Sequence, residues 1–157
     1  MKAVLQRVSR ASVSVDGIIT GECGRGLMIL LGVAEGDTER DAEMLAAKIL
    51  KLRIFSDDNG KMNLSVTDID GELLIISQFT LLANYAHGNR PDYLASAKPD
   101  EAKRLYEYFI AQLDGKVKHL GCGIFGADMQ VSLTNDGPVT IVMDSNVISG
   151  RKGEQKI

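Results

Sequence analysis

Residues 73–76 read Leu-Leu-Ile-Ile, four apolar side chains in succession where a strand with one wet face would alternate. A strand apolar on both faces must be covered on both, which places it at the centre of a core and makes the rest of the chain its cover. The run continues to residue 83, but Ser77, Gln78 and Thr80 interrupt it. If the period-2 alternation holds to its end, Leu73, Ile75, Ser77, Phe79 and Leu81 share one face and Leu74, Ile76, Gln78, Thr80 and Leu82 the other. Polar groups then fall on both faces of a buried strand. Each costs about 1–3 kcal/mol if unpaired, so these three either hydrogen-bond inside the protein or face a ligand.

A single domain, residues 1–157, is long enough to supply that cover. The net charge of −3 excludes nucleic-acid binding through bulk positive charge, though not through a local patch. Gln6 and Arg7 break the first apolar run, so no secretory signal is expected. The longest strongly apolar stretch, 27–34, contains Gly32 and falls far short of the roughly 20 residues a membrane helix needs. Two cysteines, Cys23 and Cys122, stand far apart and in no C-x-x-C pair, which suits a reducing, cytoplasmic setting with both thiols free. His87 and His119 have no ligand spacing to each other or to the cysteines, and no metal is expected.

The flanking segments alternate between strand and helix signals. Residues 2–9 and 12–15 alternate apolar and polar, then Asp16-Gly17 turns the chain in a two-residue hairpin and 18–22 returns. Residues 27–33 form a second continuous apolar run, again a buried strand. From Thr38 to about Phe55 the period becomes helical, with Ala42, Leu45, Ala46, Ile49 and Leu52 on one face and Thr38 with Asp41 as a capping box. Asp57, Asp58, Asn59 and Gly60 are turn chemistry. Residues 84–93, with Gly88, Asn89, Arg90 and Pro91, make a loop of functional length. Pro99 opens a second helix to about Leu113, whose stripe of Ala102, Leu105, Tyr106, Phe109, Ile110 and Leu113 is core. Strands are expected at 117–125, 129–133 and 139–143, and a charged, frayed tail from Ser149 to Ile157. Together these predict an α+β fold: a mostly antiparallel, curved, barrel-like sheet with two main helices.

Two places attract chemistry. One is the polar end of the central strand, where Thr80 is a nucleophile only if a base lies beside it. The other is Asn135-Asp136-Gly137-Pro138-Val139-Thr140; on its residues alone it reads as a hairpin turn with a trans proline. No Ser/His/Asp set, nucleophile elbow, Walker loop or dinucleotide fingerprint is present.

The residues 77–81, Ser-Gln-Phe-Thr-Leu, together with Asn135-x-Gly137-Pro138-Val139-Thr140, resemble the signatures of the D-aminoacyl-tRNA deacylase family. The opening eight residues, the Gly88-Asn89-Arg90-Pro91 loop and the total length are similar as well, so the likeness spans the chain. The resemblance implies a cytoplasmic homodimer without cofactor that hydrolyses the ester of D-aminoacyl-tRNA, and of glycyl-tRNA mischarged on alanine tRNA. It implies a cis Gly137-Pro138 bond inserted into the partner's site to reject L-aminoacyl groups, with Arg7 supporting that loop. Ser77, Gln78, Phe79 and Thr80 would line the pocket. Two mechanisms stay open: attack by Thr80, or water assisted by the tRNA's own 2′-OH, the latter favoured because no base for Thr80 is evident. Lys48, Lys51, Arg53, Arg90, Lys116 and Lys118 are the candidate tRNA contacts, expected near the pocket. A nucleic-acid or protein-binding module without catalysis, and a hydrolase of other small esters, are the competing classes.

Overall fold

A computed structural model describes residues 1–150; the tail expected from Ser149 to Ile157 falls largely outside the described residues. The chain runs β1 (Lys2–Val15), β2 (Ile18–Cys23), β3 (Gly26–Gly32), α1 (Glu39–Lys51), β4 (Phe55–Ser56), β5 (Met62–Leu64) and β6 (Glu72–Ser77). A 3-10 turn (Phe79–Leu82), α2 (Pro99–Leu113), β7 (His119–Cys122), β8 (Gln130–Asp144) and α3 (Ser145–Ile148) complete it. β1 pairs antiparallel with β2, β3 and β8, while β6 lies parallel to both β3 and β7. That parallel setting explains the unbroken apolar run of β6, since both its faces are covered. Leu73 and Ile75 face the helices with Leu45, Ile49, Leu105 and Phe109. Leu74 and Ile76 point into the barrel with Val8, Ala11, Val13, Cys23 and Met28. At about 1.5–3 kcal/mol per buried aliphatic side chain, these two layers dominate the stability of the fold.

The sheet curls until β2 and β7 meet. A Cβ on Gly21 would lie 2.5 Å from the Cys122 carbonyl oxygen, and one on Gly121 would lie 2.5 Å from that of Glu22. Only bare backbone lets the two strands approach so closely, so this pair of glycines closes the barrel where, among the described residues, no strand ladder joins its edges. The Asp16-Gly17 hairpin forms as its sequence demands, with φ of 51° and 78°.

α1 and α2 run parallel over one face: Arg104 reaches Glu39 at 2.6 Å, and one turn on the Tyr108 hydroxyl donates to Glu43 at 2.6 Å. The Asp41 carboxylate accepts from the Thr38 amide and hydroxyl at the entry to α1, as the capping box predicts. Four sequence expectations are corrected. α1 stops at Lys51, because Leu52 turns extended and Phe55 leaves the helical path to enter the core and pair with β5. β7 is confined to His119–Cys122; the chain then turns at residues 124–127, where the Ala127 amide donates to the Ile124 carbonyl. The strands expected at 129–133 and 139–143 are one strand, β8, whose two halves both pair with the long β1. Finally, the central strand ends at Ser77, so the face alternation expected through residue 83 does not continue.

Candidate active site

Past Ser77 the ladder is completed by the Gln78 amide, which donates to the Leu31 carbonyl at 2.8 Å. The chain then tightens into the 3-10 turn, with the Leu81 amide on the Gln78 carbonyl and the Ala83 amide on the Thr80 carbonyl. Gly32 permits this: its absent Cβ would lie 2.9 Å from the Gln78 carbonyl oxygen and 3.2 Å from Leu81 Cβ. The polar residues that looked misplaced on a strand are therefore carried on a turn at its end. Gln78 Nε2 donates to Thr80 Oγ1 in a short hydrogen bond, so one of the two alternatives holds for this pair, while Ser77 and Gln78 also face a cleft.

A cleft of about 480 Å³ opens here, lined by Ser77, Gln78 and Phe79 on one side. Ser96, Ala97 and the first turn of α2 at Pro99 and Ala102 form a second wall, and residues 125–127 with Met129 form a third. The lining is mostly apolar, as in sites that bury an organic ligand and orient it by a few polar groups. Phe79 stays 57% exposed at the rim and meets Tyr93 edge-on, ring centroids 4.9 Å apart. Thr80 is placed beside the cleft through its bond to Gln78 rather than on the cleft wall. The partner of the Thr80 hydroxyl is the Gln78 side-chain amide, and an amide is not a base that could activate a nucleophile. Residues 96–97 and 125–127 were missed by sequence reading; Gly126, at φ 77°, was the one local signal of a turn there.

The second signature is not a hairpin turn but a bulge. Thr140 sits opposite Gln6 and Asn135 opposite Val8, so residues 136–139 loop out of the β1–β8 ladder. Within it the Gly137-Pro138 peptide is cis and Gly137 has φ 144°. Asn135 ties the neck: its Oδ1 accepts from the Val139 amide at 2.8 Å and its Nδ2 donates to Thr140 Oγ1 at 3.2 Å. Arg7, only 9% exposed, holds the bulge from behind. Its Nε donates to the Asp136 carbonyl at 2.9 Å and its Nη1 to the Ile54 carbonyl at 2.8 Å. Gly137 and Pro138 themselves are exposed.

Within one chain the two signatures lie apart. The cleft floor rests on Gly32, which pairs with Lys2, and Arg7 is five positions further along β1, about 16 Å at about 3.3 Å per residue. The cations divide in the same way. Lys51 and Lys116 line a groove between the C-terminal ends of α1 and α2, whereas the cleft lies at the N-terminal end of α2, about 20 Å away along a helix of 15 residues. Lys118 pairs with Glu72 at 3.7 Å at the far end of β6, and Arg53 Nε donates to the Asn63 carbonyl. Of the expected basic contacts, Arg90 alone sits on the loop that springs from the cleft rim. Among the described residues no group of histidine, cysteine or acidic side chains is arranged to hold a metal ion, and no helix is long and apolar enough to cross a membrane.

An α+β barrel with a polar turn at the end of its central parallel strand, and a bulged Gly-Pro on a separate strand, defines a narrow structural class. The family model described as D-Tyr-tRNA(Tyr) deacylase matches residues 4–144, and this chain belongs to that family. A D-aminoacyl-tRNA deacylase from Caldicellulosiruptor saccharolyticus is 53% identical over 148 residues, covering 94% of this chain and 99% of the relative. One from Dehalococcoides mccartyi is 56% identical over 145 residues, covering 92% and 95%. Among solved structures, the c-Myc DNA Unwinding Element Binding Protein superposes with a TM-score of 0.87 at 44% identity, covering 92% of this chain and 98% of that one. A probable eukaryotic D-amino acid tRNA deacylase gives 0.77 at 15% identity over 90% and 97%, a likeness of fold.

Proposed function

We propose that this protein hydrolyses the ester linking a D-amino acid, or glycine, to the terminal adenosine of tRNA, and that it works in the cytoplasm as a homodimer without a cofactor. The cleft takes the terminal nucleoside and the ester. Water adds to the ester carbonyl, the tetrahedral intermediate collapses, and the 3′-oxygen of the adenosine leaves with a proton. The first amides of the 3-10 turn, at Phe79 and Thr80, have no partner inside the turn; aimed at the developing oxyanion they contribute about 3–4 kcal/mol. The tRNA's own 2′-OH positions the water, because Thr80 Oγ1 is engaged by an amide donor rather than by a base.

Handedness is sorted by the bulge of a second copy. In our reading the Gly137-Pro138 carbonyls of the partner hold the substrate amino group and leave no space for an L side chain, while glycine passes because it has none. The observation that carries this reading is the separation of the two signatures within one chain, which a second copy removes. The long, mostly exposed β8, with Val131 and Val142 at the surface and, among the described residues, only β1 as its strand partner, also suits a strand covered by another molecule. Arg7 is then a positioning residue for the bulge. The same docking carries the cations near Ile54, Lys51 and Arg53 toward the neighbouring cleft.

Purified protein incubated with D-tyrosyl-tRNA and with L-tyrosyl-tRNA tests the activity: selective release of D-tyrosine is expected, and release of neither or both overturns it. Sedimentation should give twice the chain mass; a monomer would remove the cross-subunit step. A second reading, a nucleic-acid-binding module, is suggested by the likeness to the c-Myc DNA Unwinding Element Binding Protein at 44% identity. Binding of tRNA or DNA with no ester cleavage would select it.

A further inference from the structure

The loop after the 3-10 turn has no part in the chemistry above, yet it is firmly built. At its neck Asn84 and Asp92 exchange two backbone hydrogen bonds, both 2.9 Å, and Asn84 Nδ2 donates to Asp92 Oδ2 at 3.0 Å. The Asn84 and Asp92 side chains also accept from the Ala86 and Leu94 amides, each at 3.2 Å. Both limbs are rooted at the cleft. The incoming limb follows Phe79 and Thr80; the outgoing limb carries Tyr93 against Phe79, then Ser96, whose hydroxyl donates to the Phe79 carbonyl at 3.4 Å, and the Ser96 and Ala97 wall. Beyond the clasp, residues 85–91 are all exposed, Tyr85 to 79%. Arg90 shares that tip, and the one acidic side chain of the loop, Asp92, is turned inward to the clasp.

An exposed aromatic ring and a guanidinium on a clasped loop are the two elements by which proteins hold unpaired nucleic acid: base stacking and phosphate pairing. Any polynucleotide whose last nucleoside enters the cleft must lead its preceding nucleotides out over the rim. We propose that the loop clasped by Asn84 and Asp92 seats the unpaired ribonucleotides that precede the esterified adenosine, Tyr85 stacking on a base and Arg90 pairing with a phosphodiester. This rests on the deacylase reading and deepens it. It supplies affinity for the single-stranded end that all tRNAs share, at a cost to no reacting atom.

The test compares D-tyrosyl-tRNA with D-tyrosyl-adenosine, which lacks the preceding nucleotides, using Tyr85→Ala, Tyr85→Phe and Arg90→Ala. Tyr85→Ala should raise KM for the tRNA by about tenfold with kcat unchanged, and Tyr85→Phe should restore it. Arg90→Ala should lower the salt slope of log KM by about 0.7, the value for one phosphate on a single strand. None of the three variants should alter kinetics on D-tyrosyl-adenosine, and thermal melting should be unchanged because the Tyr85 and Arg90 side chains are exposed. Unchanged KM on tRNA overturns the proposal, as does an equal change on both substrates, which would place the loop's effect on the cleft. Failure of the wild-type protein to cleave either substrate defeats the deacylase reading instead.

Discussion

The turn at the end of β6 takes its position from the core, whereas the β8 bulge is held by two side chains, Arg7 on the facing strand and Asn135 at its own neck. Ser77 and Gln78 continue a strand whose four preceding residues are buried, and the Gln78 amide is locked to β3. Residues 136–139 have left the sheet; Arg7 and Asn135 set their shape. The contrast separates two jobs. A surface that binds and polarises an ester needs fixed backbone and tolerates side-chain change, while a wall that discriminates by shape depends on whatever stops it from moving.

The sharpest probe of that division leaves the protein untouched. Replacing the terminal 2′-OH of D-tyrosyl-tRNA by hydrogen should cut kcat by about 100-fold or more with little change in KM; a normal rate would return the chemistry to the protein side of the cleft. Arg7→Ala should come next, because it strands the Ile54 and Asp136 carbonyls behind the bulge. Urea unfolding should show a loss of about 3 kcal/mol, accompanied by measurable release from L-tyrosyl-tRNA. Gly137→Ala places a Cβ at φ 144° and 2.7 Å from Val139 Cγ2, so the bulge must shift at a cost of about 1–3 kcal/mol. D over L selectivity should fall while the D rate holds. Thr80→Ala, on the other side of the comparison, should lose less than about tenfold of turnover, the scale of one hydrogen bond; a loss of thousands would make Thr80 the nucleophile.

A last test concerns a residue in neither region and reads out only at alkaline pH. Burial in the barrel, with Glu72 nearby, pushes the Cys23 thiol from 9.0 up to about 12. Between those values the unfolded chain gives up its proton and the folded one keeps it, so stability should decline as pH rises from about 9 toward 12. At pH 8, mass spectrometry after alkylation should find Cys23 unmodified in the folded protein.

Much of this was legible in the residues because local and global demands agree. The doubly apolar 73–76, the Asp16-Gly17 turn and the Pro99 helix start each admit few conformations. What failed to show had long-range causes. Nothing near residue 78 says that Gly32, on another strand, leaves room for a tight turn, and nothing near residue 137 says that β1 is long enough to hold both flanks of the bulge in one strand. Lys51 and Lys116 were placed near the cleft because sequence does not tell which way two packed helices point; their parallel run carries both to the far end. Residues 125–127 gave only Gly126 as a cue, since a cleft wall made of small and apolar groups resembles any turn.

The glycine seam between β2 and β7 has a mechanical meaning. The wall elsewhere is riveted by hydrogen-bonded rungs, but here two bare backbones touch without a ladder, so the cylinder has one zipperless side. Amide protons along that side should exchange with deuterium ahead of those between β3 and β6, and any widening of the interior, to breathe or to admit a solvent molecule, should begin along that line.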